Sequence, residues 1–142
     1  MKSKYIQKAT LIIKNTDAVF AYVSGWRTIR SDKKGIGFVC SLCDRKANLS
    51  RGAVADKIVG KAAALLFVLL KVNTVYAETI SKGAAEVFER YGIHYEFGVM
   101  TDRIVNRTGT GLCPMENAVR DIDEPRAAHE AVKQTLKMLT QK

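Results

Sequence analysis

The sequence predicts an α/β protein, a three-layer α/β/α sandwich around a mixed sheet. Three observations carry this. Strand and helix patterns alternate through the middle of the chain, which implies a parallel portion. Two β-rich runs near the start read as an antiparallel hairpin. The run Ala62 to Leu70 is apolar on every side, so it belongs at the centre of a layered molecule, covered by neighbours.

In order, Thr10 to Lys14 reads as a short strand, Asn15-Thr16-Asp17 as a turn, and Ala18 to Ser24 as the second strand of the hairpin. Gly25 to Lys34 is polar and basic and reads as an exposed loop. Gly35 to Lys46 is amphipathic and helical, with Ile36, Val39, Cys40 and Cys43 on one side. Asn48 to Gly52 is a connection, and the central helix follows it, ending near Lys71. Thr74 to Ile80 is a strand. Ser81 is a good N-cap for the next helix, which Gly92 closes as a C-cap. Ile93 to Phe97 is a strand, and Val99 to Val105 a candidate for another. Pro114 opens a short helix to about Ile122. Asp123, two residues before Pro125, caps a last helix to about Met138.

The 142 residues suit one domain, residues 1–142, with a real core. A basic insertion is expected near residues 25–52. No signal peptide or membrane-length apolar run is apparent, so the expected setting is cytoplasmic, without membrane contact. The net charge of +9 is uneven: residues 1–61 carry 13 Lys and Arg against 4 Asp, and the remainder is balanced. This basic half reads either as a solvated face or as a surface for nucleic acid or phosphate. A homo-oligomer is compatible with everything seen. Cys40-Ser41-Leu42-Cys43 is a lone CxxC with no second ligand pair in sequence, so no metal site and no cofactor are expected.

The most unusual chemistry lies in Asn106-Arg107-Thr108-Gly109-Thr110-Gly111-Leu112-Cys113-Pro114-Met115-Glu116. Its glycines allow backbone amides to approach an anion, and Arg107 offers a bidentate fork. It is neither a Walker loop nor a dinucleotide fingerprint. Cys113, just before a helix start, reads either as a reactive thiol or as a buried residue beside a rigid turn. Glu116 in a first helical turn fits dipole stabilisation of its own helix.

Together with Val59-Gly60-Lys61-Ala62-Ala63-Ala64-Leu65-Leu66 and Val75-Tyr76-Ala77-Glu78-Thr79-Ile80-Ser81, that segment resembles a small uncharacterised prokaryotic family, a domain of unknown function, with a cytidine deaminase-like fold. The resemblance covers roughly residues 10–137. A deaminase of that fold needs a His or Cys ligand with a glutamate two residues on, then Pro-Cys-x-x-Cys at the next helix. Here Val59 and Lys61 stand at the first motif, and Lys82-Gly83-Ala84-Ala85-Glu86 at the second. The zinc motif is absent, so zinc-dependent deamination is not expected.

The reading that follows is a scaffold without catalytic zinc that binds a small anionic or nucleotide-like ligand. The ligand-binding candidates are Gly60, Lys61, Ser81, Asn106, Arg107, Thr108, Gly109, Thr110 and Gly111. At the helix start, Gly60 and Lys61 would suit an anion; the bland alternative is close helix packing and a solvated lysine. Alternation along the strand sends Tyr76, Glu78 and Ile80 to one face, with Lys61 as the natural partner of Glu78. Two rival readings remain: a metal-independent enzyme using Lys61, Glu78 or Cys113, and a nucleic-acid-associated or assembly protein using the basic N-terminal part.

Overall fold

A computed structural model describes residues 2–105, 109 and 111–140. The chain opens with helix α1 (Lys2–Asn15), then β1 (Phe20–Ser24), β2 (Thr28–Ser31), α2 (Gly37–Asp44), β3 (Gly52–Val59), α3 (Lys61–Leu69), β4 (Thr74–Ser81), α4 (Lys82–Tyr91), β5 (His94–Thr101), α5 (Pro114–Ala118) and α6 (Pro125–Thr140). The five strands form one sheet in the order β2-β1-β3-β4-β5. β1 is antiparallel to both β2 and β3, whereas β3, β4 and β5 run parallel. The mixed α/β sandwich expected from the sequence is the fold observed.

Strand β1 shows why the molecule has two helical layers. Its alternate side chains Phe20 and Tyr22 enter a large core built on α2, α3, α4 and α6, while Ala21 and Val23 enter a smaller one under α1. The small Ala21 and Ala55 let α1 lie close, with Ala9 and Ile13 packed against them. On the opposite face a row of aromatic rings crosses the sheet: Phe38, Phe20, Phe67, Phe88, Tyr95 and Phe97, with successive centroids 5.5–6.4 Å apart. These spacings suit aromatic contact, and the row ties α2, α3 and α4 to the strands. Helix α3 is central as expected, since Ala62 through Phe67 are all buried.

Four local expectations are corrected. Thr10 to Lys14 is the end of α1, not a strand. Ile6, Ala9 and Ile13 recur at helical spacing and are all buried, and this packing outweighs the β-branched composition. The hairpin is therefore β1 with β2, and β2 lies inside the stretch expected to be an exposed loop. Residues 52–59 form β3 rather than leading into the central helix; β1 and β4 pair on either side of this strand. Val99 belongs to β5, which continues to Thr101, so no separate strand begins there.

Two caps follow the expected chemistry. Ser81 Oγ accepts the Ala84 amide at 3.1 Å, and Gly92 closes α4 in the left-handed region at φ 68°. The cap of α6 differs: the Glu124 carboxylate accepts the Arg126 and Ala127 amides at 3.0 and 2.9 Å, and Asp123 turns elsewhere. These amides hold the Glu124 carboxyl below its ordinary range.

Candidate functional site

Helices α3 and α4 both start where a parallel strand ends, at the edge where open α/β sheets place their ligands. Gly60 and Lys61 stand at the end of β3, and Ser81 closes β4. The segment after β5 folds back to the same edge. Val105 bridges to Leu112, and the Cys113 amide donates to the Ile104 carbonyl at 3.1 Å. The root of the glycine-rich segment is thereby fixed. Of the loop candidates, Asn106, Arg107, Thr108 and Thr110 lie outside the described residues, while Gly109 and Gly111 are exposed.

The centre of this edge is occupied by a residue the sequence reading assigned to another task. Glu116 lies in the first turn of its own helix as expected, but it also does more. Its carboxylate reaches α3, accepting the Lys61 amide at 2.7 Å and the Ala62 amide at 3.0 Å. Those amides are among the donors a helix N-terminus leaves unpaired, and a carboxylate also favours the positive end of the helix dipole. Gly60 makes room for it. A Cβ at this position would lie 2.5 Å from the Glu116 carboxyl carbon. The glycine is required by the space the carboxylate fills; its φ of −101° is one that other residues adopt.

Lys61 does not pair with Glu78. Its Nζ lies 3.0 Å from Asp123 Oδ1 and donates to the Arg120 carbonyl at 3.1 Å. Arg90 approaches the same Asp123 oxygen at 3.8 Å. The hydrogen bond and charge of Lys61, with a smaller contribution from Arg90, hold the Asp123 carboxyl below its usual range. The lysine stem passes Gly83, where an added Cβ would stand 3.5 Å from Lys61 Cβ. Beside it, Lys82 pairs with Asp102 at 2.8 Å. Glu78 is half-buried on β4 and has no ion pair among the described residues. The expected common face also breaks. Tyr76 packs against the α1 cluster, whereas Ile80 joins the larger core.

Cys113 is half-buried at the N-cap position of α5, where its carbonyl accepts the Asn117 amide at 2.9 Å. A half-buried acid, Asp56, stands on β3 four residues before Gly60. Burial pushes the Asp56 carboxyl on β3 up to about 8, against the opposing effect of hydrogen bonds from the Ile58 and Lys57 amides. The sequence reading missed Glu116 and Asp123 as partners of α3, because both contacts join residues more than fifty positions apart. Gly60 was the available signal, since a residue without a side chain leaves room for a close neighbour.

The model of the domain of unknown function DUF1893, typified by TM1506, matches residues 8–136. The chain belongs to the DUF1893 family. Its fold is similar to the crystal structure of the DUF1893 family protein TM1506 from Thermotoga maritima, with a TM-score of 0.86 and 29% sequence identity. That likeness covers 94% of this chain and 91% of the other. No curated protein matches. Among the described residues, no helix is long and apolar enough to cross a membrane.

Proposed function

We propose that this DUF1893 protein binds a small anionic or nucleotide-like ligand at the carboxyl ends of β3 and β4, on a deaminase-like scaffold that works without catalytic zinc. The observation that carries this reading is the convergence of Lys61 and Arg90 on Asp123, beside the root of the glycine-rich loop. Two cations held on one exposed carboxylate are a latch that a ligand anion can take over. Asp123 would yield its cations to the incoming phosphate or carboxylate, and Arg107 would add a planar fork from the loop. Glu116 narrows the reading. It already satisfies the first amides of α3, so the ligand is met by side chains and loop amides rather than by that helix end.

The absence of the zinc ligands at Val59 and residues 82–86 supports binding without deaminase chemistry. Native mass spectrometry of the purified protein, followed by titration with nucleoside mono-, di- and triphosphates, tests the proposal. Arg107→Ala is expected to weaken binding roughly tenfold or more, the equivalent of one charge-assisted hydrogen bond. Asp123→Asn is expected to strengthen it by releasing two cations. Unchanged affinity in both variants, or no binding to any phosphate-bearing ligand, would overturn the proposal. Salt-sensitive RNA binding lost on neutralising the basic N-terminal residues would instead favour a nucleic-acid role.

A further inference from the structure

Away from this edge, helices α2 and α6 bring three metal-ligating side chains together. Cys40 and Asp44 lie four residues apart on α2, hence on one helix face, and His129 arrives from α6. Their ligand atoms all lie within 4.8 Å of one another. His129 Nε2 is 2.8 Å from Asp44 Oδ1. We infer that Cys40, Asp44 and His129 form a binding site for a zinc-like divalent transition metal, with three protein ligands and a fourth position left to water.

The donor set decides the class of ion. One sulfur, one imidazole nitrogen and one carboxylate oxygen suit borderline zinc or cobalt, whereas magnesium and calcium take oxygen alone. Zinc bonds of about 2.0–2.3 Å set tetrahedral ligand atoms about 3.3–3.8 Å apart, within reach of this cluster by small side-chain rotations. Cys40 is buried and provides a dry wall, with 3% of its surface exposed. His129 and Asp44 are more open, at 18% and 45% of their side chains, and give a route from solvent. Cys43 is not part of the set, because its Sγ is turned to the Leu66 carbonyl at 3.6 Å. On binding, the Cys40 thiol passes its proton to solvent, and the Asp44–His129 hydrogen bond is replaced by two metal bonds. Burial and the Asp44 charge raise the Cys40 thiol to about 11, so the metal's charge is what would draw the thiolate out. Lys133 Nζ, 3.9 Å from Asp44 Oδ1 and 3.6 Å from Glu130 Oε2, is a competing cation that can move to Glu130.

Titration of chelator-treated full-length protein with cobalt(II), then displacement by zinc(II), tests the inference. One cobalt per chain is expected, with a thiolate-to-cobalt charge-transfer band in the near ultraviolet. Cys40→Ser should abolish the band and weaken zinc binding about a hundredfold or more, since even loss of a supporting hydrogen bond costs about 10–100-fold. His129→Gln should weaken zinc binding comparably. Cys43→Ser and Cys113→Ser should keep the band. Lys133→Met should tighten binding several-fold, an effect no merely structural role produces. The inference is overturned if folded wild-type protein shows no band and retains no zinc at micromolar concentration. It is also overturned if the band survives Cys40→Ser or disappears with Cys113→Ser. If circular dichroism shows that Cys40→Ser does not fold, the His129→Gln and Lys133→Met affinities decide the matter.

Discussion

Helices α3 and α4 begin side by side, at the carboxyl ends of neighbouring parallel strands, yet they are capped by opposite means. Helix α4 carries its own cap: Ser81 meets the amide of Ala84, three residues on. Helix α3 has a glycine at that position and borrows its cap from Glu116, over fifty residues away. One start is completed locally and can form as the chain folds. The other is complete only when the segment after β5 has docked. The difference teaches that this edge of the sheet and the tertiary closure of the protein are one construction, because Glu116 follows the glycines of the loop closely in sequence.

The largest expected effect breaks the remote cap. Glu116→Ala removes two charge-assisted hydrogen bonds to half-buried amides, and such bonds are each worth about 1.5–3 kcal/mol. Chemical denaturation should show a loss of about 3 kcal/mol. Gly60→Ala should cost nearly as much, because its Cβ expels the same carboxylate. The two changes should not add. A double variant about as stable as Glu116→Ala alone would confirm that both act through one contact, and full additivity would sink that account.

A pH series sharpens the comparison. The strand leading to α3 carries Asp56, where the register partner on β4 is Ala77. Asp56 has its carboxyl raised to about 8 in the folded protein, so the folded state holds the proton more tightly than the unfolded chain does. Its contribution is therefore most favourable below the ordinary value of 3.8 and is lost as pH rises through about 8. Asp56→Asn should leave the melting temperature little changed at pH 4 and raise it by several degrees at pH 9. An equal shift at both pH values would mean that the Asp56 charge is not the cause.

The local cap comes next. Ser81→Ala should cost about 1 kcal/mol, the usual value for a serine N-cap. A loss as large as that of Glu116→Ala would erase the distinction between the two starts.

The same distinction explains what was legible in the sequence. The parallel half could be read, because Thr74 to Ser81, Ser81 as a cap and Gly92 as a stop are all signalled within a few residues. The N-terminal half was misread where local composition and tertiary packing disagree. Thr10-Leu11-Ile12-Ile13 has the composition of a strand, but Ile6, Ala9 and Ile13 form a helical stripe whose burial decides the outcome. Strand β3 went unseen because Ala53 and Ala55, both buried and the second packed under α1, weaken the β signal. At the site, Gly60 and Lys61 were legible as unusual residues. Their partners Glu116 and Asp123 were not, since no local pattern encodes a contact between distant segments. The cluster of Cys40, Asp44 and His129 escaped for the same reason: the sequence shows a lone CxxC, and the histidine lies 85 residues from Asp44.

The smallest expected effect on stability is that of Lys61, and it separates folding from binding. Its partner Asp123 is 67% exposed at the side chain, so solvent screening leaves their ion pair little weight in folding. Lys61→Met keeps the apolar stem beside Gly83 and deletes only the charge. The melting temperature should fall by no more than a few degrees, while the affinity for a phosphate-bearing ligand should fall by roughly tenfold. The reverse result, a large thermal loss with unchanged affinity, would make Lys61 a structural tie between α3 and the turn before α6. The comparison of the two helix starts would then survive as a statement about folding, and the ligand site would have to be sought in the loop alone.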